Sequence, residues 1–99
     1  MLTGKQKSNL RKLANSMQPI VQVGKSGIGT PLIQTVEKAL DARELIKLSV
    51  LQNCLEEPKQ IAEEISNLTQ AEVIQIVGRV IVLYKRSSKR DNRAISKQL

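Results

Sequence analysis

Ninety-nine residues with 16 lysines and arginines against 9 acids give a net charge of +7, in a chain long enough for one hydrophobic core but too short for a deep catalytic cleft with a lid. The 40% hydrophobic content is almost wholly aliphatic, and with Tyr84 the single aromatic, a binding surface made of a row of stacking rings is excluded. There is no histidine, no nucleophile-base pair, no metal-ligand cluster and no cofactor motif, so neither an enzyme nor a cofactor protein is expected.

The first helix is predicted from Thr3, a good N-cap, to about Ser16. Leu10, Leu13, Ala14 and Met17 recur at helical spacing and leave Lys5, Lys7, Arg11 and Lys12 off that stripe. Pro19 then interrupts, and Ile20–Val23 is predicted as a short strand. A second helix is predicted from Pro31, capped by Thr30, to about Asp41 or Ala42, with Leu32, Ile33, Val36, Ala39 and Leu40 facing inward.

Leu45–Leu51 alternates as a strand, with Ile46, Leu48 and Val50 on one side and Lys47 and Ser49 on the other. Pro58 suits the first turn of a third helix, which packs Ile61, Ala62, Ile65 and Leu68 and exposes its glutamates. Val73–Val77 and Val80–Tyr84 flank Gly78-Arg79 as a hairpin with a two-residue turn. Residues 87–99 are polar and basic, and are expected to form a flexible tail beyond a domain at 1–86. The order is thus helix-strand-helix-strand-helix-strand-strand: a two-layer α/β domain with a mixed four-stranded sheet, its helices in one layer and the opposite sheet face open to solvent.

No run approaches the ~20 apolar residues that span a bilayer, no charged-then-apolar leader is seen, and Cys54 is alone; a cytoplasmic location is expected, with Cys54 a small core residue.

Function is concentrated between the first strand and the second helix. Gly24-Lys25-Ser26-Gly27 is a short glycine-bounded loop in which a sugar-phosphate backbone could approach the main chain, with Lys25 supplying charge and Ser26 a hydroxyl. The N-terminus of the following helix would favour the same anion. A mononucleotide P-loop is excluded because Pro19 holds the place of its first glycine. A dinucleotide fingerprint is excluded because Gly24, Gly27 and Gly29 are spaced in the opposite sense.

The charge is segregated along the chain: residues 1–30 carry +5, residues 31–77 carry −4, and residues 78–99 carry +6. Such segregation suggests one electropositive face gathered from both ends for a polyanion. An alternative remains open, that of a protein-interaction module whose basic face meets an acidic protein.

Several segments resemble the CRM domain, the RNA-binding module of chloroplast RNA splicing and ribosome maturation proteins. They are Leu2-Thr3-Gly4-Lys5-Gln6 with Leu10–Ala14, then Val23–Ile28, Glu44–Lys47, and Val77–Arg86, so that the likeness extends over residues 2 to 86. As a free-standing domain the chain is most similar to the bacterial YhbY type. That resemblance implies a fold similar to the C-terminal domain of translation initiation factor three, and a role in ribosome biogenesis with ribosomal RNA of large-subunit precursors as partner. Gly29 stands where the family commonly has threonine, and Arg43 where a histidine is usual.

The RNA-binding candidates are Gly24, Lys25, Ser26 and Gly27 in the loop, with Lys5, Lys12, Arg79, Lys85 and Arg86 extending the positive surface by phosphate contacts. Tyr84 is a further candidate, by stacking on an unpaired base. A monomer is expected, with no membrane and no small-molecule substrate as partner.

Overall fold

Thr3 opens the first helix through a reciprocal cap. In the computed structural model, which describes residues 2–99, its hydroxyl accepts the Gln6 N–H at 3.1 Å and the Gln6 side chain accepts the Thr3 N–H at 2.9 Å. Helix α1 (Gly4–Ala14) buries Leu10 and Ala14. Next come β1 (Val21–Val23), α2 (Thr30–Arg43), β2 (Leu45–Val50), α3 (Pro58–Thr69), β3 (Glu72–Val77) and β4 (Val80–Tyr84), followed by two 3-10 turns at Arg90–Asn92 and Ser96–Gln98.

The strands form one sheet in the order β1-β2-β4-β3. β1 and β2 run parallel, joined by the α2 crossover, with Val21 opposite Leu48. β4 lies antiparallel to both β2 and β3, pairing Leu45 with Tyr84 and Val77 with Val80. Positive φ at the β3–β4 turn falls on Gly78 and not on Arg79, the pattern of a II′ turn. The α/β class, the element order and the mixed four-stranded sheet are those expected from the sequence.

The layering differs from the expectation. Val36 and Leu40 of α2 and Ile61, Ala62 and Ile65 of α3 pack with Ile46, Leu48, Ile81 and Leu83 on one face of the sheet. α1 lies on the other face, where Leu10 and Ala14 meet Leu45, Ile74, Val82 and Tyr84. The cause is legible in β4, whose unbroken apolar run has a hydrophobic side chain for both faces. A register shift between Val73 and Gln75 adds to this, since Val73 packs into the first cluster and Ile74 into the second.

Two helix ends also differ. α2 is preceded by Gly29 as N-cap, with no side-chain capping bond, so Thr30 lies inside the helix rather than before it. In α3 Leu68 is 55% exposed, and Thr69, not Leu68, is buried. Its hydroxyl donates to the Ile65 carbonyl at 2.7 Å, which satisfies the group it buries. Cys54 is buried and unpaired, in the larger cluster as expected.

Where the sequence suggested a mobile tail, residues 87–99 fold back, first against the C-terminal end of α2, where Asn92 Nδ2 donates to the Asp41 carbonyl at 3.2 Å, and then onto the α1 side of the sheet. Ile95 and Leu99 pack against the second cluster, and Ser87 is buried. Glu44 organises this return: fully buried, with φ 66, its carboxylate accepts the Ser87 N–H and the Ser96 N–H, each at 2.8 Å. Asp41 accepts the Ser88 N–H at 2.6 Å and its hydroxyl at 2.9 Å. The polar composition of this segment serves to satisfy two carboxylates from the 41–44 corner.

Candidate nucleic-acid interface

β1 and β2 are parallel, so their C-terminal ends emerge together, and the antiparallel β4 brings the Gly78-Arg79 turn to the same end. The Gly24–Gly27 loop lies there. Gly27 N–H donates to the Gly24 carbonyl at 3.0 Å, closing a tight turn with Lys25 and Ser26 exposed at its tip. Gly27 has φ 65, a conformation that disfavours any side chain. Gly24 has ordinary φ, and a Cβ there would make normal contacts with Leu51 and Asn53 at 3.6 and 3.7 Å. Only Gly27 is thus demanded by the turn itself.

Leu51 links the loop to Arg79. Its N–H donates to the Val23 carbonyl at 2.8 Å, and its own carbonyl accepts from Arg79 Nη2 at 2.9 Å. Arg79 Nε donates to the Val50 carbonyl at 2.8 Å. The guanidinium therefore staples the C-terminal end of β2 and sets a fixed positive charge near the loop. Glu56 places an acid on the other flank, its Oε1 3.5 Å from where a Gly27 Cβ would be. An anion is accordingly favoured at the Lys25 tip rather than on the Glu56 side.

α2 begins three residues beyond Gly27, and Gly29 leaves its first N–H groups without a side-chain cap. An exposed tip with a lysine, a hydroxyl and nearby unsatisfied amides can hold a phosphodiester by charge and hydrogen bonds while reading no base.

The other candidates are elsewhere. Tyr84 closes the far end of β4 and Lys85 and Arg86 follow it, and a strand rise of about 3.3 Å per residue puts them roughly 20 Å from Arg79. Lys5 and Lys12 are exposed on α1, on the sheet face opposite α2, and Lys12 borders a shallow cleft with Gln98 and Leu99. The single electropositive face expected from the charge pattern is thus divided: Lys25 and Arg79 stand at one end, and most of the remaining candidate cations do not.

Tyr84 is 7% exposed and packs in the second cluster, which leaves little of its ring open to stack on a base. Burial, with the Glu44 charge, pushes its phenol above the ordinary range. Lys85 Nζ donates to the Thr69 carbonyl at 2.8 Å and so caps the C-terminus of α3. Lys47 donates to the Met17 carbonyl at 3.1 Å, a structural role.

Around Arg86 lies a groove of about 740 Å³, bordered by Tyr84, Lys85, Arg86, Arg90, Arg93 and Lys97, with Glu72 the one acid on its rim among the described residues. The position of these tail cations is not legible in the sequence, because it depends on the bonds that Glu44 makes to Ser87 and Ser96. Burial alone would raise the Glu44 carboxyl, but the Ser87 and Ser96 N–H donors outweigh it and hold the group below the ordinary glutamate range. The Ser88 N–H and hydroxyl do the same for Asp41.

The fold and loop define a small basic α/β module with an exposed glycine turn at the head of a helix. The chain belongs to the CRS1/YhbY (CRM) domain family, whose model matches residues 2–85. It is 48% identical over 89 residues to a Bacillus subtilis protein named "Probable RNA-binding protein YqeI", covering 90% of this chain and 93% of that one. A Haemophilus influenzae protein named "RNA-binding protein" is 34% identical, with 89% of each chain covered. The solution structure of SAV1595 from Staphylococcus aureus superposes with a TM-score of 0.76 at 46% identity, covering 91% of this chain and 94% of that one. Among the described residues no helix is long and apolar enough to cross a membrane.

Proposed function

We propose that the protein binds RNA without catalysing a reaction, docking the sugar-phosphate backbone on the Gly24–Gly27 turn. Lys25 meets a phosphate, Ser26 and the uncapped amides of α2 donate to its oxygens, and Arg79 adds fixed charge beside the turn. The observation that carries this reading is the exposure of Lys25 and Ser26 at the tip of a turn that runs into a helix N-terminus. Its family setting agrees, since the relatives named above are called RNA-binding proteins.

The partner in this reading is ribosomal RNA of large-subunit precursors, met in the cytoplasm by a monomer acting in ribosome assembly. The resemblance to the YhbY type supports that choice. Crosslinking of protein to RNA in cells, followed by sequencing of the bound fragments, tests it. Enrichment of large-subunit precursor sequence is expected, and dominance of messenger or transfer RNA would overturn the ribosomal assignment. Lys25→Glu tests the turn: RNA affinity should fall while the thermal midpoint stays nearly unchanged, because an exposed loop charge contributes little to folding. Equal affinity in that variant would reject the turn as the docking point. Retained preference for a ribosomal fragment under excess heparin is expected, whereas its loss would favour an acidic protein as the true partner.

A further inference from the structure

The groove at the far end of the sheet is a built feature rather than a chance gathering of surface charge. Three of its five cations, Arg90, Arg93 and Lys97, come from the returning tail, and that tail is held by the buried carboxylate of Glu44 and by Asp41. Two cations are themselves fixed: Arg93 Nε donates to the Ser87 carbonyl at 2.8 Å and Lys85 Nζ to that of Thr69 at 2.8 Å. Preorganised cations lose little side-chain freedom on meeting an anion, unlike lysines on a loose chain.

We infer that this groove is a second docking site for the phosphodiester backbone of RNA, separate from the Gly24–Gly27 turn and roughly 20 Å from it along β4. The inference rests on the RNA-binding reading above and extends it to a second surface. Three of the five cations are arginines, whose planar forks match phosphate oxygens two at a time. With Glu72 the one acid opposing them among the described lining residues, the rim repels a polyanion little and attracts it strongly.

Arg86, Arg90, Arg93 and Lys97 all lie beyond residue 85, where the family match stops, so the groove depends on residues additional to the matched domain. Two separated contacts would select RNA whose backbone presents phosphates at both ends of the module, a constraint on shape that neither contact sets alone.

The test uses the full chain and three side chains outside the tail's anchoring bonds, in the combined variant Arg86→Gln, Arg90→Gln, Lys97→Gln. Binding of a fluorescein-labelled polyuridylate strand is followed by anisotropy across a salt series, for the wild type, this variant and Lys25→Glu. The triple variant should bind more weakly, with its log-log salt slope flatter by about 2, as loss of three phosphate contacts on a single strand requires. Crosslinking of the same RNA to the wild type should label peptides from residues 86–97 as well as the Gly24–Gly27 turn.

A triple variant with unchanged slope and affinity, beside a weakened Lys25→Glu, would overturn the groove and leave the turn standing. Absence of RNA binding by the wild type would overturn both. Loss of binding to phosphatidylserine vesicles, with RNA affinity and slope unchanged, would assign the groove to a membrane surface and overturn the inference as well. A circular dichroism melt confirms that each variant is folded before its binding is read.

Discussion

The Glu44 carboxylate accepts the Ser87 N–H at 2.8 Å across 43 positions of sequence, tying the corner between α2 and β2 to the chain just beyond β4. Its second oxygen takes the Ser96 N–H, so one side chain closes both ends of the returning segment. Among the described residues no buried side-chain nitrogen or oxygen lacks a hydrogen-bond partner, and Glu44 meets that condition only because the tail is in place.

Substituting Glu44 by Gln should therefore loosen the tail. An amide offers one acceptor oxygen where the carboxylate offers two, leaving the Ser87 or Ser96 N–H facing a donor, at a cost of about 1–3 kcal/mol. Chemical denaturation measures the loss. Hydrogen exchange should quicken at the Ser87 and Ser96 amides, and unchanged protection there would contradict the role given to Glu44.

Acid should act through the same residues. Glu44 and Asp41 are both held below their ordinary values by N–H and hydroxyl donors, with burial opposing the shift at Glu44. The unfolded chain binds protons more readily than the native one, so their stabilisation is complete above the ordinary carboxylate values near pH 4 and is lost as pH falls through the lower native values. The thermal midpoint is expected to be flat from neutrality to about pH 5 and to drop below about pH 4. Glu44→Gln should show a shallower acid decline, and an identical one would remove Glu44 from the account.

The two loop glycines should respond differently. Gly27→Ala forces a side chain into positive φ and should cost about 1–2 kcal/mol while weakening RNA binding through a displaced turn. Gly24→Ala meets only ordinary contacts and should change stability by less than about 0.5 kcal/mol. If RNA approaches the main chain at Gly24, its affinity falls in that variant without a loss of stability. Unchanged binding would confine the contact to the Lys25–Gly27 side.

Tyr84→Phe should leave RNA affinity unaltered, because the residue, although it borders the Arg86 groove, is 7% exposed and packs in the second core cluster. Titration of the binding isotherm with either protein is sufficient, and a clear loss of affinity in the phenylalanine variant would restore a contact for the phenol.

Strand and helix identities were legible because their signals are local. Alternation in Leu45–Val50, helical spacing in α3 and the Gly78 turn each depend on neighbours a few residues away. Tyr84 was less legible, since a ring at a strand end is equally at home in a core or on a surface until the covering helix is known. The same reason hid the role of α1: its apolar stripe was clear, but which face of the sheet it would cover is a long-range matter. Arg79 was expected to meet phosphate and is found first of all bonding the Val50 and Leu51 carbonyls, partners brought close only by the β2–β4 register.

By itself the amino-acid order determined the elements, the exposed glycine turn with Lys25 at its tip, and the excess of positive charge at both ends of the chain, since propensity, periodicity and charge count are properties of short stretches. Only the tertiary structure decided how that charge is shared out. The antiparallel course of β4 carries Arg79 to the loop and Arg86 away from it, and the buried Glu44 carboxylate gathers the tail cations around one groove. Pairing register and the need to satisfy a buried charge act between residues far apart in sequence, which is why no local pattern announced them.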